Sequence, residues 1–188
     1  MTEILTEPVS APNVWRGDEL AGDGRWIIRF TEEDLADFER ALAHLSKKNV
    51  RDVTQIRAED FPLPHFRERI DDIVDRLENG PGLVLLRGLP IYDRFSVDEA
   101  TIIYWAMGRH MGNLVPQNRK GDLMGQIRDL GQRGPYERAY ATNEDLGFHT
   151  DSTDFVGLMC LPRSRMWPIR SPLRFCGTRF PRCRPIPQ

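Results

Sequence analysis

The chain has 188 residues, 40% of them hydrophobic, and a formal charge of −2, which is enough for one globular domain with a real core and too apolar for a disordered chain. No run approaches the roughly 18 consecutive apolar residues of a spanning helix, and Glu3, Glu7, Asp18 and Glu19 stand where a leader would be basic and then apolar, so the expected location is cytoplasmic. Cys160, Cys176 and Cys183 fit neither a disulfide framework nor the paired spacing of a structural zinc site.

Residues 1–14, with Pro8 and Pro12, read as a loose N-terminal arm, and order is expected to begin near Trp15. Trp26 to Phe30 is a short β-prone run after the Gly22-Asp23-Gly24 turn. Thr31 and Asp34 then form a capping box, and Leu35, Phe38, Leu42 and Leu45 recur at the spacing of one buried helical stripe. A second helix is written in Phe66, Ile70, Ile73, Val74 and Leu77, with Pro64 near its start and Gly80 placed to end it. It leads into Gly82 to Leu86, an unbroken apolar run expected to be a strand covered on both faces. Ser96 and Glu99 form another capping box, and Ala100, Ile103, Met107 and Met111 give a third apolar helix face ending at Gly112.

Tyr104 and Trp105 belong to that helix and are read as core residues. His44, His65 and His110 fall on or beside helices and are read as structural. From Asp122 onward the pattern turns to short strands: Leu123, Ile127 and Leu130 punctuate a polar stretch, Arg138 to Thr142 is a candidate strand, and Phe155 to Leu161 is expected as a buried strand with Cys160 a small core residue in it. Helices first and strands later predict an α+β domain in which helices buttress a mainly antiparallel sheet.

The chemistry lies in Phe148-His149-Thr150-Asp151-Ser152. In extended backbone, residues i and i+2 point to one side, so His149 and Asp151 can present an imidazole nitrogen and a carboxylate oxygen to one ion. These are two of the three ligands of a 2-His-1-carboxylate site, whose remaining coordination positions stay open. The pair alone is a common accident of composition. Its surroundings are more specific: with Asp154 to Leu161 following at once, it resembles the first metal-binding strand of the TauD/TfdA (taurine dioxygenase) type of dioxygenase. Gly82 to Leu89 is similar to that family's early core strand, and Gly112 to Gln117 to its turn before the active-site strands. The resemblance covers about residues 15–161, as spaced segments in the family's order.

The resemblance implies a partial double-stranded β-helix (jelly roll) with flanking helices. It also implies Fe(II), 2-oxoglutarate as cosubstrate, O₂ and a small organic substrate, with neither nucleic acid nor membrane as partner, and His149 and Asp151 as metal ligands. Gln117, Tyr140 and Asn143 are candidates for the substrate pocket, and satisfying nearby backbone groups is the equally open alternative for each.

The family pattern stops after residue 161. The family's second histidine ligand, its 2-oxoglutarate-binding arginine and its Gly-Gly segment cannot be placed, because 37 residues follow Asp151 and none is histidine. Residues 162–188 hold seven Arg and six Pro with no Lys and no acid, whereas all 28 acidic residues lie at or before Asp154. Such a composition is read as a frameshifted tail, expected to be disordered, and the chain as an inactive fragment of a dioxygenase. The rival is a non-catalytic binding module whose basic tail contacts an acidic partner. A zinc hydrolase ranks last, because catalytic zinc usually has three protein ligands.

Overall fold

The computed structural model describes residues 10–48, 50, 52–118, 120–125, 127, 149, 151 and 153–161. These fall into two compact units, one holding the residues up to Asn113 together with 155–161, the other those from Leu114 to Asp154. The candidate strand at 138–142 and the tail at 162–188 lie outside the described residues.

The first unit is built from α1 (Gly17–Gly22), β1 (Ile27–Arg29), α2 (Glu32–Ser46), α3 (Arg67–Glu78), β2 (Leu85–Arg87) and α4 (Val97–Met111). Helix α2 starts where its box is written: Thr31 Oγ1 accepts from the Asp34 amide at 3.3 Å, and Asp34 Oδ2 accepts from the Thr31 amide at 2.7 Å. The same exchange between Ser96 and Glu99 opens α4, at 2.8 and 3.2 Å. Both boxes satisfy amides that a helix start would otherwise leave unpaired.

The stripes meet in one core. Phe38 and Phe66 are fully buried and meet edge to face at 5.0 Å, with Phe30 at 5.4 Å from Phe38 and 5.7 Å from Phe66. Helix α4 packs against α3 and α2, and its Ala100, Ile103 and Ala106 are buried. The stretch between α2 and α3, which carries no periodicity, adds Ile56, Phe61 and Leu63 to this core. It is held from α4: Trp105 Nε1 donates to the Ile56 carbonyl at 3.0 Å and His110 Nε2 to the Phe61 carbonyl at 2.8 Å. The structural reading of Trp105 and His110 follows from those bonds.

Two buried carboxylates organise the helix junction. Asp37 is fully buried and accepts from the His65 and Phe66 amides, both at 3.0 Å, so it caps α3 from a distant part of the chain where Phe66 itself has no capping oxygen. Asp34 is equally buried and pairs with Arg69, whose other nitrogen donates to the Arg29 carbonyl at 2.7 Å and so ties α3 to β1. Arg94 similarly clasps Glu32 and Glu39 of α2, both at 2.7 Å, and its guanidinium holds the Glu39 carboxyl below its ordinary range.

Three expectations need correction. Gly82 does not begin a strand: its φ is +74°, a left-handed conformation, and β2 starts three residues later at Leu85. Strand β2 is half-buried instead of covered on both faces, and among the described residues it pairs with β1 alone, parallel, in the register Ile27 to Leu85, Ile28 to Leu86 and Arg29 to Arg87. Residues 155–161 form no strand and are not buried, with Val156 and Leu158 45% and 55% exposed and Cys160 exposed. Apolar β-prone sequence becomes a buried strand only when a neighbour takes up its backbone groups in a ladder, and among the described residues this run joins no sheet. The sheet of the described residues is this parallel pair alone, so they are an α+β assembly of helices with a small sheet. No helix among them is long and apolar enough to cross a membrane.

Candidate metal centre

His149 and Asp151 lie in the second unit. His149 Nε2 and Asp151 Oδ2 are 4.0 Å apart, and each side chain is 46% exposed. The i, i+2 spacing thus brings the two polar ends near one another at a solvent-accessible position. Among the described residues no group of three or more His, Cys, Asp or Glu side chains gathers around an ion-sized space.

The pair can be tested against a common ion. Two donors that each stand about 2.1 Å from one metal are separated by at most about 4.2 Å, and by about 3.0 Å at neighbouring octahedral positions. The observed 4.0 Å lies inside the outer limit, and both side chains are half-exposed. One imidazole nitrogen and one carboxylate oxygen also suit Fe(II) as a donor set. The residues fit the ion as two of its ligands.

Gln117 is exposed, its side-chain amide donates to the Val115 carbonyl at 2.9 Å, and its backbone amide donates to the Asp122 carbonyl at 2.6 Å. It therefore supports a loop that Asn118 closes by accepting from the Lys120 and Asp122 amides at 2.9 and 3.2 Å. Asn118 and Asp122 carry the turn's polar work, an Asx signal the sequence reading passed over. Tyr140 and Asn143 lie outside the described residues. On α4, Tyr104 is half-buried, and desolvation pushes its phenol above the ordinary tyrosine range.

Comparison with known proteins gives these residues a context. Residues 49–165 match the family model described as "Taurine catabolism dioxygenase TauD, TfdA family". FR-33289 synthase of Streptomyces rubellomurinus is 30% identical over 168 residues, covering 88% of this chain and 49% of that protein. The taurine hydroxylase-like protein SAT17 of Stachybotrys chartarum is 24% identical over 156 residues, covering 78% of this chain and 40% of that protein. The chain spans about half the length, or less, of these curated relatives. The family model matches more than half of the chain, and the chain belongs to the TauD/TfdA family of dioxygenases.

Proposed function

We propose that the chain carries the N-terminal part of an Fe(II)/2-oxoglutarate-dependent dioxygenase, with His149 and Asp151 as two ligands of the iron and a jelly roll as the complete domain's architecture. The observation that supports this most is the 4.0 Å approach of an imidazole and a carboxylate inside the segment matching the family model. Bound together, Fe(II) and 2-oxoglutarate supply the activation of O₂ that hydroxylates a C–H bond of a small organic substrate, while 2-oxoglutarate leaves as succinate and CO₂.

The role of this chain's own residues is to hold and orient the ion. Asp151 contributes negative charge that offsets part of the ion's desolvation, and His149 contributes an imidazole nitrogen donor. Two ligands hold an ion less firmly than three, and no histidine follows Asp151 in the sequence. A 2-oxoglutarate carboxylate without its guanidinium partner forgoes a charge-assisted contact of roughly 1.5–3 kcal/mol. We therefore expect weak Fe(II) binding and no turnover from this chain alone.

The test loads the chain anaerobically with Fe(II) and 2-oxoglutarate, admits air and measures both bound iron and succinate, beside His149→Ala. The expected result is weak iron binding that His149→Ala abolishes, with no succinate from either chain. Iron binding indifferent to His149→Ala removes the site. Succinate release that depends on His149 shows a functioning site and refutes the fragment reading. A second reading frame beyond codon 161 that encodes a Gly-Gly segment, a His and then an Arg supports that reading independently.

A further inference from the structure

We propose that Arg29 and Arg87 together form a binding site for a small tetrahedral dianion, inorganic phosphate or the phosphate of a soluble monoester, on the outer face of the sheet made by β1 and β2. Both residues belong to the first compact unit. They are partners in the parallel register, so their Cα atoms stand about 4.8 Å apart on neighbouring strands and their side chains leave the same face of the sheet. Ile28, which precedes Arg29 in β1, is buried, and the alternation turns the two arginines outward, where both are exposed.

Neither guanidinium has an ionic or hydrogen-bond partner among the described residues. Elsewhere in the same unit Arg40, Arg69, Arg76 and Arg94 each reach a carboxylate. Residues 1–161 hold 28 acids against 19 Lys and Arg, so carboxylates are in excess, yet none of the described ones is spent on this pair. Like charges set directly opposite each other on adjacent strands repel, and an anion taken up between them removes that repulsion. The backbone holds the pair in place. The Arg29 carbonyl accepts from Arg69 Nη2 at 2.7 Å and the Arg87 carbonyl from the Phe30 amide at 2.9 Å, while the Phe30 ring packs on Phe38 and Phe66 of the core. Two fixed Cα positions therefore present two side chains whose donors are all unused by the described residues. Directly after Arg87 the chain turns at Gly88, with φ +96°, and a Cβ there would meet nothing within 4 Å, so open space lies beside the pair.

The chemistry of the donors selects the ligand. One guanidinium satisfies a carboxylate by itself, through two parallel N–H to oxygen bonds. Two guanidinia side by side match a compact group that carries two charges and directs oxygens to both, which is the phosphate dianion. An extended anionic surface, such as a membrane or a nucleic acid, suits the pair poorly, because its further charges would face a chain in which acids outnumber bases over residues 1–161.

The experiment titrates the full chain with inorganic phosphate by calorimetry at mildly alkaline pH, where phosphate is a dianion, with ionic strength held constant by chloride. Malonate and vesicles containing phosphatidic acid are run beside it, and melting temperature is recorded for every variant. We expect saturable binding of one phosphate, weakened on the order of tenfold in Arg29→Gln and again in Arg87→Gln, the size of one lost charge-assisted contact. Phosphate should raise the melting temperature of the wild-type chain and of neither variant. Without phosphate, Arg87→Gln should melt at or above the wild-type temperature, since it relieves repulsion; a lower value shows that Arg87 is already neutralised within the chain and overturns the site. Phosphate binding indifferent to either substitution, malonate bound as tightly as phosphate, or binding of the vesicles alone overturns it equally. None of these outcomes bears on the iron-site reading, which uses other residues.

Discussion

The core around α2, α3 and α4 and the stretch carrying the proposed metal pair differ in what holds them. In the first, Phe38, Phe61, Phe66, Phe95, Asp34 and Asp37 are all essentially inaccessible, and every buried carboxylate has a cationic or amide partner. In the second, His149 and Asp151 are half exposed, Gln117 is exposed and Ile127 is 65% exposed. Dense packing makes the helical core a scaffold, whereas the proposed ligand groups stand open to solvent. The first region should thus tolerate almost no change in its interior, and the second should change its chemistry without changing the stability of the chain.

The largest expected effect is at Phe38. Truncation to alanine removes a ring that meets both Phe30 and Phe66, and we expect a loss of about 3–5 kcal/mol in a urea denaturation. A loss below about 1 kcal/mol would mean that the helical region is not the tightly packed part of the molecule.

Asp37 comes next. Asp37→Ala leaves the His65 and Phe66 amides without their acceptor at a buried helix start, for an expected loss of about 3 kcal/mol, while Asp37→Asn keeps an oxygen in place and should lose less than half as much. Equal losses from the two substitutions would place the stabilisation in the negative charge, through Arg40 at 3.0 Å, and not in the cap.

The smallest effect is expected where apolar side chains stand in solvent. Leu158→Ser should alter unfolding free energy by no more than about 0.5 kcal/mol and should raise solubility. A loss near that of Asp37→Ala would show Leu158 to be covered in solution and would dissolve the contrast between a packed core and an open run.

Sequence alone determined what depends on neighbours three or four positions apart. The boxes at Thr31 and Ser96, the stripe of Leu35, Phe38 and Leu45, and the end of α4 at Gly112 stand in the structure where the spacing puts them. The family was legible too, because its segments keep their order along the chain and the His149-Thr150-Asp151 spacing needs only local backbone. Tertiary structure decided the rest. Nothing near Asp37 announces that it will cap a helix 28 residues away, and Ile56, Phe61 and Leu63 enter the core without any period because α4 holds their loop. Gly82 to Leu86 and Phe155 to Leu161 look alike as apolar runs, yet one acquires a paired strand from Leu85 and the other joins no sheet among the described residues. A strand, unlike a helix, finds its hydrogen-bond partners on another segment, so its formation is settled by which segment arrives beside it and not by its own residues.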